Sequence, residues 1–269
     1  MPSAAPVSSV RDALAAAEDS LRAAGCDTPR LDAELLLAFS MGVSRAELIT
    51  ADGVPPAAAR RAMELVRRRV AREPVAYILG TKGFRHIDLR VDPRVLIPRP
   101  ETELLVDVAL ELPHGARVHD VGTGSGAVAL ALKQERPDLA VSASDASAGA
   151  VEVARSNAAA LGIDVPVEVA NGLPPGDYDL VLANLPYVRE DEWRGLQPEI
   201  VRYEPREALV SGADGLDAIR ALVSEAPAGL RLALEHAPDQ AEAMRSLLHD
   251  ARTLRDLSGR ERVTVGSAL

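Results

Sequence analysis

Residues Arg117 to Val121 run directly into Gly122-Thr123-Gly124-Ser125-Gly126, and this junction constrains the fold more than any other stretch. A short run of strand character meets glycines that let the backbone turn sharply and present main-chain N–H groups at a helix start. A strand, tight loop and helix is the unit that uses such a segment. The pattern then alternates: helix Gly126 to Gln134, strand Ala140 to Ser144, helix Ala148 to Leu161, strand Val165 to Val169, strand Leu180 to Ala183. A long loop, helix Asp214 to Ser224, strand Leu230 to Glu235 and helix Asp239 to Leu248 follow. Such alternation predicts a mostly parallel, Rossmann-like α/β sheet with helices on both faces. Thr253 to Leu257 and Arg262 to Val265, around Ser258-Gly259-Arg260, predict a terminal antiparallel hairpin.

Upstream the periodicity is helical. Val10, Leu14, Ala17 and Leu21 form a stripe at helical spacing before Gly25, and a second helix runs from about Thr28 to the stop at Gly42. Ser44-Arg45-Ala46-Glu47 has capping-box form, and Pro55-Pro56 opens a helix that ends before Pro74. Between Tyr77 and Val95 the period becomes strand-like, and helix Glu101 to Leu112 follows Pro98-Arg99-Pro100. The expected organisation is a small all-helical domain over 1–74, a β-hairpin linker over 75–97 and an α/β domain over 98–269, consistent with a 269-residue chain.

Composition narrows the function classes. Aromatic residues make up 3% of the chain, so the core must be built from Ala, Leu and Val. A net charge of -10 argues against a phosphate backbone as the main partner. Arg60, Arg61, Arg67, Arg68, Arg69 and Arg72 crowd one predicted helix; this reads first as a solvated face and second as a docking surface. Cys26 is the only cysteine, which excludes an intrachain disulfide and fits a reducing compartment. Met1 to Ser9 lack the form of a signal peptide, and no run approaches the ~20 apolar residues of a membrane span. A cytoplasmic protein without a membrane partner is expected, and a monomer suffices.

The glycine loop predicts a bound nucleotide. Gly122, Gly124 and Ala127 also fit the dinucleotide fingerprint, with Asp145 where its ribose-binding acid belongs, so a nicotinamide cofactor stays open. Asp120 favours another ligand: an acid at the strand end suits the ammonium of a methionine moiety better than a pyrophosphate. Asp145 can accept from both ribose hydroxyls, and Asn171 from an adenine amino group. The second informative segment is Ala183-Asn184-Leu185-Pro186-Tyr187-Val188, at the carboxyl end of a predicted strand, where open α/β sheets bind substrates. An amide or aromatic amine is a poor nucleophile because its lone pair is delocalised, so an enzyme acting on it must orient its two N–H bonds. The side-chain oxygen of Asn184 and the backbone carbonyl of Leu185 are suited to accept them, with Tyr187 offering a face for stacking. Together the segments read as methylation of a planar NH2 group by S-adenosyl-L-methionine.

With these residues in view, the chain resembles the glutamine methyltransferases of peptide-chain release factors, the HemK type, over nearly its whole length. The resemblance rests on Leu96-Ile97-Pro98-Arg99-Pro100-Glu101-Thr102-Glu103, the Asp120 to Gly126 loop, Val201-Arg202-Tyr203-Glu204-Pro205 through Ala208-Leu209, and Glu261-Arg262-Val263-Thr264. It implies a class I methyltransferase domain preceded by a helical domain that docks class 1 release factors, with the Gln of their Gly-Gly-Gln motif as acceptor. It further implies cofactor contacts from Asp120, Gly122, Thr123, Gly124, Ser125, Gly126, Asp145, Asn171, Gly172 and Asn184. Asn184, Leu185, Pro186 and Tyr187 hold the amide, with Arg99 and Glu103 lining the site and Asn184 and Tyr187 as catalytic groups. The chain departs from the family pattern where Leu185 replaces the first proline of Asn-Pro-Pro-Tyr, at Gly172, and at Ala237 after Glu235-His236; His236 is expected to be structural. Asn-Leu-Pro-Tyr also occurs in ribosomal RNA adenine dimethyltransferases, which makes RNA adenine N6-methylation the alternative. Further alternatives are a nicotinamide-dependent oxidoreductase and a non-catalytic nucleotide-binding module.

Overall fold

A computed structural model describes residues 9–269; the stretch read for a leader, residues 1–8, lies outside the described residues. The chain forms two compact units, Met1–Gly80 with Gln197–Tyr203, and Thr81–Leu196 with Glu204–Leu269. No helix among the described residues is long and apolar enough to cross a membrane.

The first unit is helical: α1 (Val10–Ala23), α2 (Pro29–Met41), α3 (Arg45–Thr50), α4 (Pro56–Val70) and α5 (Val75–Leu79). Local signals explain most of these ends. Ser9 caps α1 through Asp12, Ser44 and Glu47 close the expected capping box on α3, and Pro56 opens α4. Val10, Leu14, Leu21, Leu37 and Leu48 share one core with the buried Cys26. The expectation of strand-like structure from Tyr77 is corrected, because Val75–Leu79 is a helical turn. A five-residue apolar run is too short for its period to separate helix from strand.

The long loop expected after Ala183 also needs correction, since it contains α9 (Pro198–Tyr203), which belongs to the helical unit. Charge holds it there. Arg69, 5% exposed, donates from Nε to Asp32 at 2.7 Å and from Nη2 to Glu199 at 2.8 Å, and Arg72 also pairs with Glu199. Tyr203 adds a hydroxyl hydrogen bond to the Ala71 carbonyl at 3.0 Å. The basic stretch on α4 is thus partly internal, with Arg68 pairing to Glu73 and Arg61 lying over the Phe39 ring. Removing one member of a buried ion network strands the others. Arg69→Met is expected to lower the stability of this unit by about 3–5 kcal/mol, read as faster hydrogen exchange across α2 and α4; unchanged protection would contradict this account.

The second unit begins with the hairpin β1 (Thr81–Phe84) and β2 (Ile87–Arg90). It continues with α6 (Glu103–Leu110), β3 (Arg117–Val121), α7 (Ala127–Glu135), β4 (Ala140–Asp145), α8 (Ala148–Leu161), β5 (Val167–Val169) and β6 (Leu180–Ala183). Then come α10 (Asp217–Glu225), β7 (Arg231–Glu235), α11 (Ala241–Ser246), β8 (His249–Arg255) and β9 (Glu261–Ser267). The sheet has seven strands in the order β5-β4-β3-β6-β7-β9-β8, parallel from β5 to β7 and antiparallel at the β7, β9, β8 end. This is the expected Rossmann-like fold with a terminal hairpin. Alternate residues feed opposite layers: Leu180 and Leu182 join one core, Val181 and Ala183 the other. Both layers are dominated by Leu, Val and Ala, as the scarcity of aromatics required.

Register positions the site. Val121 pairs with Ser144 on one side and Ala183 on the other, Val169 pairs with Asp145, and Leu234 with Ala183. The carboxyl ends of five adjacent strands therefore stand level, so that Asn171, Asp145, Gly122, Asn184 and Glu235 follow or end neighbouring strands. Chain order reverses between β3 and β6, the point where open sheets part their loops to form a crevice.

Candidate functional site

A cavity of about 460 Å³ opens at that reversal. Asp120, Gly122, Thr123, Gly124, Ser125, Asp145, Asn171, Gly172 and Asn184 line it, as do Leu185, Pro186 and Arg99. A volume of this size suits a small organic cofactor.

The glycine loop is anchored from β4, with the N–H groups of Gly122 and Thr123 donating to the Ser144 carbonyl at 2.9 and 3.0 Å. Asp120 is 2% exposed and accepts from the Thr123 hydroxyl at 2.6 Å. Burial, with Asp145 nearby, pushes its carboxyl up to about 7. Asp145 accepts from the N–H groups of Gly124 at 2.9 Å and Ser147 at 2.8 Å, and burial raises its pKa as well. Two desolvated carboxyls on one wall leave the cavity short of positive charge, the condition under which a cationic ligand is favoured. Ser125 Oγ is buried without a hydrogen-bond partner beside them.

Gly126 does not line the cavity. It caps α7 with φ of 85°, and a Cβ there would come within 2.8 Å of Leu130, so close packing requires the glycine. Leu185 lies against the same loop: a Cβ on Gly122 would meet its Cδ2 at 2.9 Å. Gly172 has the Glu225 carboxylate at its Cα, with Oε2 2.1 Å from where a Cβ would stand, and Glu225 itself lines the cavity. Nothing in the local sequence around Glu225 marked it.

Asn184 donates from Nδ2 to the Thr102 hydroxyl at 2.9 Å. Tyr187 is placed differently from expectation: it is absent from the cavity lining, and its hydroxyl donates to Glu235 Oε1 at 3.1 Å behind the wall. Its backbone carbonyl accepts from Gln240 Nε2 at 2.9 Å, and Val188 bridges to Val210. The Asn184 to Val188 segment is therefore held from several sides. Arg99 lines the cavity and pairs with Glu204, which also accepts from the Ile97 N–H at 3.1 Å. Glu103 is not a lining residue; its Oε1 accepts from the Arg85 N–H at 3.2 Å on the β1–β2 turn. His236 is fully buried between the Ala237 carbonyl and the Thr264 hydroxyl, with its pKa lowered by burial, so it remains neutral and structural. Thr102, Gln240 and Glu235 were missed as site residues by sequence reasoning; Thr102 had a signal within the Pro-Arg-Pro-Glu-Thr-Glu run and Glu235 in the Glu-His pair before Ala237.

Comparison with known proteins identifies the family. Residues 12–80 match the model of the PrmC N-terminal domain, and residues 100–212 that of the methyltransferase small domain. A release factor glutamine methyltransferase from Xylella fastidiosa is 44% identical over 88% of this chain and 92% of its own length. One from Mycolicibacterium smegmatis is 40% identical over 97% and 98%. Among solved structures, the catalytic domain of hMettl16 superposes with a TM-score of 0.50 at 14% identity, over 79% of this chain and 82% of that one, a likeness of fold. On the strength of its sequence relatives across both units, the chain belongs to the family of release factor glutamine methyltransferases.

Proposed function

We propose that this protein transfers a methyl group from S-adenosyl-L-methionine to the side-chain amide nitrogen of the Gln in the Gly-Gly-Gln motif of class 1 peptide chain release factors. The observation that carries the reading is the state of Asn184. Its Nδ2 is taken by Thr102, so its Oδ1 is left to accept from an N–H donor at a cavity lined by Asp120 and Asp145. In the cavity Asp120 takes the ammonium of the cofactor's methionine moiety, Asp145 the ribose hydroxyls and Asn171 the adenine amino group. The orphaned Ser125 hydroxyl gains a partner on binding. S-Adenosylmethionine supplies an electrophilic methyl carbon on a sulfonium, a strong leaving group.

The chain's own part is positioning. Asn184 Oδ1 and the Leu185 carbonyl accept the two amide N–H bonds and fix the acceptor nitrogen toward the methyl group. Leu185 keeps that carbonyl despite the lost proline, and its side chain rests on Gly122, which couples the amide cradle to the cofactor loop. The RNA-adenine alternative draws less support, because Arg68, Arg69 and Arg72 of the basic stretch are engaged within their own unit.

Asp120 gives the reading a pH signature. A carboxyl raised to about 7 is protonated below that pH and ionised above it, and only the ionised form attracts an ammonium. Affinity for S-adenosylhomocysteine, measured by calorimetry, is expected to fall up to tenfold per pH unit below about 7. Asp120→Asn is expected to weaken binding at pH 8 and to flatten this dependence; a pH-independent wild type would contradict the role. The acceptor is tested by transfer of labelled methyl to a release factor, the same factor with its motif Gln changed to Ala, and ribosomal RNA. Label on the first alone supports the proposal, and label on RNA overturns it.

A further inference from the structure

Glu225 is the last residue of α10, and its carboxylate lies against the turn that follows β5. Gly172 makes that approach possible. Its φ is 88°, and Oε2 and Oε1 of Glu225 stand 2.1 and 3.1 Å from where a Cβ on it would be, so a side chain at 172 would expel the carboxylate. Oε2 accepts from the Leu173 N–H at 3.1 Å, while Oε1 has no hydrogen-bond partner among the described residues.

The helix itself supplies no reason for an acid at this position. The last turn carries the negative end of the helix dipole, so Glu225 stands where a carboxylate is least favoured. Its surroundings do supply one. Glu225 lines the cavity together with Asn171 and Gly172 of the turn and with Ala221 and Leu222 of its own helix. Small apolar surfaces beside two hydrogen-bond acceptors suit a flat ring that bears an exocyclic amine.

An adenine amino group has two hydrogens to place. Asn171 can accept one of them through Oδ1, and the other needs a second acceptor; a carboxylate offers nothing else. We infer that Glu225 is a cofactor-binding residue that accepts the second amino hydrogen and thereby makes the cavity select a 6-aminopurine. Through Leu173 the same side chain also holds the turn that carries Asn171, so one residue sets both acceptors. This rests on the proposed placement of the adenine beside Asn171 and adds to it the residue that determines base specificity.

The test is calorimetric binding of two ligands to the full chain: S-adenosylhomocysteine, and its analogue with hydrogen in place of the 6-amino group. Wild type is compared with Glu225→Gln. Gln has one side-chain oxygen, which the Leu173 N–H retains, so the variant keeps the turn and presents an NH2 where the second acceptor stood. The side chain is exposed, and the substitution leaves the core untouched. Wild type is expected to bind S-adenosylhomocysteine about tenfold to a hundredfold more tightly than the analogue. Glu225→Gln is expected to cut that preference by about tenfold, with affinity for the analogue changed less than about threefold. A preference that Glu225→Gln leaves unchanged, including the case where both ligands weaken alike because Glu225 only holds the turn, overturns the inference alone. A wild type that binds the two ligands equally overturns the adenine placement and the inference with it.

Discussion

Asn184→Ala is expected to lower kcat for methyl transfer by about a thousandfold, while affinity for S-adenosylhomocysteine falls less than about tenfold. The asymmetry follows from where the residue stands. The cofactor is proposed to be held mainly by Asp120, Asp145 and the glycine loop, none of which depends on the Asn184 side chain for its own hydrogen bonds. The acceptor amide, by contrast, loses one of the two groups that orient it, and a weak nucleophile reacts only when its lone pair is aimed. Stopped assays for rate and calorimetry for binding separate the two effects. Equal losses in both would mean that Asn184 serves the cofactor and not the acceptor.

Gly215→Ala is expected to lower kcat by about a hundredfold although the glycine lies outside the cavity lining. Its φ is 80°, and a Cβ there would stand 2.1 Å from the Tyr187 carbonyl oxygen and 2.6 Å from Gln240 Nε2. Those two atoms form the clamp that fixes the backbone following Pro186, because Gln240 Nε2 donates to both Tyr187 and Asp214. The backbone must move to admit the methyl group, and a displacement near 1 Å at the Leu185 carbonyl misaims the acceptor. Thermal stability should fall by the cost of the strained backbone, while S-adenosylhomocysteine binding should change little by comparison. Near-normal turnover in Gly215→Ala would show that the clamp is not needed.

The parts of this fold that were legible in the sequence share a physical cause. β3, β6 and α8 have the bounds expected from sequence, because residues that change backbone preference close each of them: Gly122, Asn184 with Pro186, and Gly162. α9 was not legible: its six residues lack an apolar stripe, and its place is set by Glu199 meeting Arg69 and Arg72 from far along the chain. β8 starts at His249 rather than Thr253, since an exposed edge strand interrupted by a register shift carries no clean alternation. The site divides the same way. Asp120, Asp145, Asn171 and Asn184 could be read because parallel strands bring their carboxyl ends level, so a motif position fixes a place in space. The supports behind them could not, because Thr102, Glu235, Gly215 and Gln240 meet the Asn184 to Tyr187 segment through contacts that no local pattern encodes. Tyr187 shows the cost of that blindness. An aromatic in a loop looked available for stacking, yet its ring is partly buried outside the cavity lining and its hydroxyl donates to Glu235.

The most direct test of the account is to incubate the protein with S-adenosylmethionine and an unmodified class 1 release factor, and to locate the methyl group by tandem mass spectrometry. A single methyl on the side chain of the Gly-Gly-Gln glutamine, absent with Asn184→Ala, is the predicted result. A methyl on another residue, or none on the factor while RNA adenine is modified, would contradict it.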